Sequence, residues 1–283
     1  HRRPNGELRR PLWITNLIFT RQRRRDKSFV HKLINRPMSA ISGNSIWIQR
    51  RIHEVYGLDM NENKLNGEPP IRDVSGRPLE VTHVRHGIDF KHWPISPDAT
   101  EKKELAAVEH LPNDYVVTVG KISHVKGTWE TLHSLTNTGL AMVQIGGGDT
   151  DDREDLIREG KRIGVPVICM PRLSQPAICG VIRGARAMVS HAYHEPFGLT
   201  PIEAMAVGTP ALMVDEGGFN CTLSRVDSGR LLSRNDAAGW KNAYLDAKDP
   251  VLRQAWAKAG RAYVEEYFHP DVEIEALERM LLS

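Results

Sequence analysis

The chain has 283 residues, 40% of them hydrophobic and 26% charged, which suffices to bury the core of one large or two modest domains. No apolar run approaches the roughly 20 residues of a membrane span, and the N-terminus is basic rather than signal-like. The net charge is only +3, and the three cysteines lack both metal-ligand spacing and the even count of a disulfide framework, so we expect a protein of the reducing cytoplasm.

The N-terminal segment is strongly basic. Residues 1–51 contain 13 Lys and Arg against two acidic residues, and the run 21–25 is the densest part. Such a segment attracts anionic lipid headgroups or nucleic acid, and it is equally typical of a solvated basic face or a flexible arm. Because no aromatic residues interleave with the arginines, nucleic acid is the less favoured partner, and peripheral contact with an anionic membrane stays open.

The next part of the chain predicts a small number of strands and helices. Residues 61–78 are rich in Asn, Gly and Pro and indicate a loop, and the prolines of 90–97 indicate a linker. Too few strands precede this linker to complete an α/β domain, so we expect a partial N-terminal domain at 1–92. Its predicted elements are a strand at Met38–Ser42, a helix at Ser45–Tyr56 and a strand at Leu79–Val84.

From residue 113 onward, short apolar runs alternate with helical patterns at intervals of roughly 20–25 residues, the length of one βα unit. Because the runs are apolar throughout, we expect helices to cover both faces of a parallel sheet. The predicted fold class is therefore α/β, with a doubly wound, Rossmann-like domain at 93–264, and two helices close the chain. The predicted elements are strands at Tyr115–Val119, Leu140–Ile145, Pro166–Met170, Ala187–Ser190 and Pro210–Val214, and helices at Pro250–Phe268 and Val272–Leu282.

The segment that follows Ser190 has the features of a ligand-binding turn. A strand ends at Ser190, a loop follows, and Thr200 and Pro201 suit the N-cap and the first position of a helix that Gly208 closes. The free N–H groups at the start of that helix favour a phosphate or the hydroxyl-rich edge of a sugar. Gly198 removes side-chain bulk where a ligand would approach the backbone.

Two carboxylates accompany this helix start, Glu195 in the loop and Glu203 in the helix. Ionised carboxylates only accept hydrogen bonds, so they suit the vicinal hydroxyls of a sugar. Glu203 has a second interpretation, because Thr200-x-x-Glu203 is a capping box in which the Glu accepts from the N-cap N–H. On spacing alone both interpretations of Glu203 stay open, whereas Glu195 has no comparable structural role.

The sequence Glu195-Pro-Phe-Gly-Leu-Thr-Pro-Ile-Glu203 resembles the E-x7-E signature of retaining glycosyltransferases of the GT-B fold. That large family includes sucrose-phosphate synthases and bacterial mannosyl- and glucosyltransferases. In it the first Glu and the following loop N–H groups hold the donor sugar, and the second Glu binds the nucleotide ribose. The resemblance implies these roles for Glu195 and Glu203, with donor contacts from Phe197, Gly198, Leu199 and Thr200.

A second motif, Gly120-Lys121-x4-Lys126-Gly127, follows the first strand of the predicted domain and leads into a helix. Two lysines on such a loop can converge on a diphosphate, where they would stabilise the charge of the departing nucleotide; the alternative is two solvated loop lysines. The family has a similar G-R-x4-K-G pattern. Lys121 stands where Arg is usual, so a point charge replaces the planar bidentate guanidinium.

Further segments resemble the nucleotide contacts of the family. Gly147 lies in a glycine-rich turn after the second strand, and Met170 and Arg172 follow the third strand, where family members place the nucleobase. The segment 215–218 resembles the family's glycine pair near the cleft. The resemblance also implies that the first part of the N-terminal domain is missing and that residues 265–283 form a helix crossing back toward that domain.

The resemblance implies hexosyl transfer from a nucleotide diphosphate sugar to an acceptor hydroxyl, with retention, by front-side attack aided by the leaving phosphate. No cofactor and no essential metal are expected, because Asp149-Thr-Asp151 has the letters of a D-x-D motif but begins a polar helix. The sugar, the base and the acceptor are not identified. Two other hypotheses are a donor-binding subunit that is inactive until a second chain completes the N-terminal domain, and a basic module that binds lipid or nucleic acid through residues 1–51.

Overall fold

The computed structural model describes residues 6–8, 10–34, 40–56, 59–60, 80–108 and 111–282. The chain divides into two compact units. The first consists mainly of Leu8–Gly87 and Pro270–Ser283, and the second mainly of Ile88–His269. The divisions fall at 87 and 269, whereas the sequence placed its domain limits after 92 and 264.

The first unit contains a small parallel sheet. In chain order its first elements are α1 (Leu12–Ile34), β1 (Ile41–Gly43), α2 (Ile46–Tyr56), β2 (Asp59–Met60) and β3 (Glu80–His83). The strand order is β1-β3-β2. β1, α2 and β3 overlap the three elements predicted in this region, although residues 38, 39 and 79 and the predicted loop at 61–78 lie outside the described residues.

The basic N-terminal segment is largely helical. α1 spans 23 residues, and the side chains of the run 21–25 are all exposed. The helix contains neither Gly nor Pro, and its straight-chain Leu, Arg, Lys and Gln residues lose little rotamer freedom in a helix. The flexible-arm interpretation is therefore wrong for these residues. Within the described residues, no helix combines the length and the apolar character that crossing a membrane requires.

The second unit is built on a six-stranded parallel sheet. Its strands are β4 (Tyr115–Val119), β5 (Ala141–Ile145), β6 (Val167–Met170), β7 (Met188–Ser190), β8 (Ala211–Val214) and β9 (Gly229–Leu232), in the order β6-β5-β4-β7-β8-β9. The predicted α/β fold class with a doubly wound sheet is confirmed. The prediction missed β9, because this edge strand is short and Arg230 interrupts its apolar run.

Helices cover this sheet and complete its core. They are α3 (Ala99–Ala106), α4 (Thr128–Ser134), α5 (Thr150–Ile163), α6 (Gln175–Gly184), α7 (Leu199–Ala206), α8 (Gly218–Leu223), α9 (Ala237–Asp246) and α10 (Pro250–Tyr267); α11 (Pro270–Leu282) belongs to the first unit. Val117 and Val143 on the strands, and Ile202 and Trp256 on the helices, have no exposed surface. Burial on this scale is the main source of stability for such a domain.

Arg183 at the end of α6 holds the linker against the second unit. Its guanidinium pairs with Glu101, through Nε to Oε1 at 2.9 Å and Nη2 to Oε2 at 3.1 Å. It also donates to the carbonyl oxygens of Pro94 (2.7 Å) and Val207 (3.0 Å). Because the Glu101 side chain is only 2% exposed, its charge depends on this partner.

We therefore expect Arg183→Met to lower the free energy of unfolding by about 3–5 kcal/mol, since it leaves a buried carboxylate unpaired. Denaturant titration of the whole chain measures the loss. Arg158→Met is the matched control, because Arg158 is 72% exposed and forms only a surface pair with Asp155; it should change stability by about 0.5 kcal/mol or less. A loss of similar size in both variants would contradict the assigned role of Arg183.

Candidate functional site

The direction of chain progression reverses at the centre of the second-unit sheet. From β4 the chain moves outward through β5 to β6, and from β7 it moves the other way through β8 to β9. β4 and β7 are neighbours, paired at Val117 and Met188. Beyond the carboxyl ends of two such strands, the connections leave toward opposite sides and open a crevice. The loops 120–127 and 191–198 border this crevice.

Loop 120–127 carries both predicted lysines. Gly127 has φ +61°, and a Cβ there would lie 2.0 Å from the carbonyl oxygen of His191, so only glycine allows this approach. Lys126 Nζ lies 2.6 Å from Glu195 Oε2. Lys121 has no ion pair within the described part of the chain. Lys126 is therefore paired with the predicted carboxylate Glu195, whereas Lys121 is not paired with either predicted carboxylate.

Helix α7 begins earlier than the sequence predicted. Its N-cap is Gly198, with φ +91°, and no side chain caps it. Thr200 and Pro201 are therefore the second and third helical residues, and the predicted Thr200 cap and capping box are wrong. Proline fits there because the first turn leaves its backbone N–H groups without intrahelical partners. The left-handed Gly198 turns the chain into the helix without a side-chain cap.

Glu203 is the fifth residue of α7 and faces a cavity of about 640 Å³. Burial raises the pKa of its carboxyl from 4.5 to about 7. Within the described residues its side chain has neither a hydrogen bond nor an ion pair. A partly buried carboxylate without a protein partner is available to accept hydrogen bonds from a ligand.

The cavity brings together residues from four connections of the sheet. Five of the predicted site residues line it: Gly120, Lys121, Gly147, Arg172 and Glu203. Arg172 is exposed and, like Lys121, has no ion pair among the described residues. Two cationic side chains, one partly buried carboxylate and the two predicted glycines thus line a single space.

The other predicted residues lie outside this cavity. Lys126 and Glu195 form their pair on the neighbouring loops, and Gly198, Leu199 and Thr200 start α7. Phe197 is 4% exposed, and its ring contacts the ring of Phe268 at a centroid distance of 6.1 Å. Met170 is 5% exposed and belongs to the hydrophobic core. These positions give Phe197 and Met170 packing roles next to the site.

The cavity is also lined by residues that the sequence analysis did not assign to the site, among them Trp93 and Gln175. Gln175 Nε2 donates to the carbonyl oxygen of His92 at 3.0 Å, which ties the start of α6 to the linker. Ser174 is the N-cap of α6, a signal that could have placed a helix start here. Trp93 gave no signal, because only the fold brings the linker to the strand ends.

His191 borders the crevice but belongs to the core. Burial lowers the pKa of its imidazole to about 3, so the ring is neutral. It stacks on Trp240 at a centroid distance of 3.8 Å, and its Nδ1 lies 3.1 Å from Thr131 Oγ1. The backbone of His191, rather than its ring, therefore shapes the site.

Comparison with known proteins gives one family. Residues 101–263 match the family described as glycosyl transferases group 1. The glycogen synthase of Mycobacterium tuberculosis is 25% identical over 236 residues, which are 76% of this chain and 53% of the relative. The D-inositol 3-phosphate glycosyltransferase of Mycolicibacterium smegmatis is 29% identical over 192 residues, 64% of this chain and 43% of that protein. The chain spans about half the length of these curated relatives.

Solved structures bear out the GT-B-like fold class. Sucrose-phosphate synthase from Thermosynechococcus elongatus superposes with a TM-score of 0.66 at 22% identity, covering 86% of this chain and 58% of that one. Anabaena HepE in complex with UDP-glucose gives a TM-score of 0.66 at 17% identity, covering 89% of this chain and 66% of that one. At these identities the likeness concerns the fold.

The raised pKa of Glu203 predicts an unusual stability profile. The folded chain binds the Glu203 proton more tightly than the unfolded chain, so the free energy of unfolding falls as pH rises from 4.5 to about 7. Above pH 7 the full penalty, about 3 kcal/mol, is present. We expect Glu203→Gln to raise the free energy of unfolding by about 1–3 kcal/mol at pH 8 and to have little effect at pH 4.

Denaturant titrations at pH 4 and pH 8 measure this difference. Glu154→Gln is the control, because Glu154 is exposed on α5 and the same change there should be neutral at both pH values. A Glu203→Gln variant that is less stable than the unaltered chain at pH 8 would show that the carboxylate has a structural partner.

Proposed function

The chain belongs to the group 1 glycosyl transferases, and we propose that it binds a nucleotide diphosphate sugar at the crevice between β4 and β7. In this proposal the sugar is then transferred to an acceptor hydroxyl with retention. The observation that carries the proposal is Glu203, a largely buried carboxylate without a protein partner in the described residues, in one cavity with Lys121 and Arg172. A polar ligand that offers hydroxyls and negative charge complements such a cavity.

Each part of the donor has a proposed partner. Glu203 accepts hydrogen bonds from the ribose hydroxyls, and Lys121 and Lys126 hold the diphosphate. Glu195 accepts from the sugar hydroxyls, and the free N–H groups at the start of α7 face the same ligand. Gly120 and Gly147 leave room for the diphosphate to approach the backbone, and Arg172 lies at the nucleobase.

In the proposed reaction the acceptor oxygen attacks from the side of the leaving diphosphate, whose oxygen accepts the acceptor proton. Negative charge grows on the diphosphate as the glycosidic bond breaks. The two lysine ammonium groups stabilise that charge, which is why no metal is needed in the proposal. Lys126 is already near Glu195, so the cation and the sugar-binding carboxylate are positioned together before the donor binds.

The remaining predictions concern parts of the function that do not depend on the donor site. The acceptor, the participation of a second chain and the association of the basic residues of α1 with an anionic membrane or nucleic acid stay predictions. That the chain is a donor-binding subunit, inactive until a second chain is present, also stays a prediction. It would bind nucleotide without turnover until a partner is added.

Calorimetric titration with UDP-, GDP- and ADP-sugars tests the donor site. We expect saturable binding of at least one of them at pH 8, weakened about tenfold or more by Glu203→Gln and by Lys121→Met, since each change removes a hydrogen-bonded or charged contact. Lys161→Met is the control, because Lys161 is exposed on α5. Absence of binding to all three by a folded chain would refute the proposal.

The pKa of Glu203 adds a pH dependence to the same titration. Only the carboxylate accepts hydrogen bonds from both ribose hydroxyls, so affinity should rise as pH rises toward 7 and level off above it. At pH 6, binding should release a proton, which is measured by comparing buffers of different ionisation enthalpy. Glu203→Gln should abolish the proton release, and a release that persists in this variant would assign it to another group.

A further inference from the structure

Arg234, which follows β9, joins three connections at the carboxyl edge of the sheet. Its Nε and Nη2 donate to Glu216 Oε1 and Oε2 at 2.9 and 2.8 Å, a bidentate pair. Nη1 donates to the carbonyl oxygen of His191 at 2.7 Å, and Nη2 also contacts that of Ala192 at 3.3 Å. Its guanidinium carbon lies 3.6 Å from the centre of the Tyr193 ring.

These contacts determine the path of the loop that carries Glu195. Glu216 precedes Gly217 and Gly218, and the Gly218 N–H donates to the carbonyl oxygen of Glu195 at 2.6 Å. A Cβ at Gly217 would lie 2.6 Å from the same oxygen. Arg234 therefore holds the beginning of the loop directly, and it holds Glu195 through the segment that follows β8.

The same network reaches the lysine loop through Tyr193. The Tyr193 hydroxyl donates to Glu130 Oε1 at 2.6 Å, and its backbone N–H donates to the carbonyl oxygen of Val125 at 2.8 Å. Val125 immediately precedes Lys126. Tyr193 thus links Arg234 to the backbone next to Lys126 as well as to the loop that carries Glu195.

The guanidinium is suited to this task by its shape. It is planar and presents five N–H donors in a fixed arrangement, and here it satisfies a carboxylate and two backbone carbonyl groups at once. A lysine ammonium cannot reproduce this fork. The Arg234 side chain is only 15% exposed, so water does not readily replace the contacts that would be lost.

We propose that Arg234 is a positioning residue that sets the loop 191–195 so that Glu195 meets the sugar of the donor. The proposal rests on the donor site proposed above. Arg234 does not line the cavity that contains Lys121, Glu203 and Arg172. Its loss should therefore weaken recognition of the sugar much more than recognition of the nucleotide.

The test compares each nucleotide sugar with the bare nucleoside diphosphate: UDP-glucose with UDP, GDP-mannose with GDP, and ADP-glucose with ADP. In Arg234→Met, the Kd of the nucleotide sugar that the unaltered chain binds should rise about tenfold, while the Kd of its diphosphate stays within about twofold. Arg234→Lys should behave like Arg234→Met, because an ammonium group keeps the charge but not the planar set of N–H donors that holds the loop in position. Arg162→Met on the exposed face of α5 should change neither constant.

Amide hydrogen exchange provides a readout that does not need a ligand. In Arg234→Met, amides of residues 192–198 and 217–219 should exchange at least tenfold faster, with unchanged rates in β4 and β5. Glu216→Gln keeps the size of the side chain and should produce the same pattern more weakly. This variant tests the network if Arg234→Met folds poorly.

The outcomes separate this inference from the donor-site proposal. If the unaltered chain binds no nucleotide, the proposed function fails, and hydrogen exchange alone decides whether Arg234 positions the loop. If the chain binds nucleotide and Arg234→Met weakens the sugar and the bare diphosphate equally, the sugar-specific role is overturned. Unchanged affinities, or unchanged exchange in 192–198, would overturn it as well.

Discussion

Close contact between backbone segments at the carboxyl edge of the second-unit sheet is the constraint on which the site depends. The loop after β7 is enclosed by glycines on both sides. Gly127 approaches the carbonyl of His191, and Gly217 approaches that of Glu195, so closely that a Cβ would lie 2.0 and 2.6 Å from these oxygens. Real Cβ atoms do not approach backbone at such distances, so the loops can meet only where side chains are absent. Glu195 comes within reach of Lys126 because of this packing.

The charges of the site are arranged in two different ways. Lys126 and Glu195 form an ion pair at 2.6 Å, and because the lysine is 42% exposed the pair adds little to stability. Glu203 is partly buried and has no partner in the described residues, and its raised pKa reflects the unfavourable desolvation of its charge. Folding alone does not favour a carboxylate there. A site that opposes local stability is typical of a position retained for binding or catalysis.

The sequence predicted the parts of the structure that local patterns determine. β4 to β8 are runs of apolar residues at regular intervals; Glu195, Lys121 and Lys126 lie in recognisable loops between them, and Glu203 lies in the helix that follows one of these loops. The capping box failed because Gly198, two residues earlier, can adopt a left-handed conformation that begins the helix by itself. Spacing does not reveal which of two neighbouring residues starts a helix.

Other parts depend on contacts between distant residues. Trp93 reaches the cavity from the linker, and Gln175 bonds to His92, 83 positions away. Arg234 lies 43 positions from His191 and follows β9, the strand that the pattern missed. No local rule distinguishes this arginine from a solvated one, because its partners are backbone carbonyl groups and a carboxylate from two other connections. Such residues can be identified only after the strand order is known.

The strand order also separates the proposed functions along the edge of the sheet. The cavity with Lys121, Gly147 and Arg172 is formed by connections after β4, β5 and β6, on one side of the point where the chain reverses. Glu195 follows β7, and the groups that hold it follow β8 and β9, on the other side. In the proposed complex the nucleotide therefore depends mainly on one half of the sheet and the sugar on the other; Glu203 is the exception, because it lines the cavity from α7, which follows β7. Substitutions after β8 and β9 can alter sugar recognition with little effect on the nucleotide, because Arg234 and Glu216 contact the connection that carries Glu195 and do not line the cavity. Changes at Arg234 or Glu216 would therefore act first on the loop of Glu195, and through it on the sugar that this loop is proposed to hold.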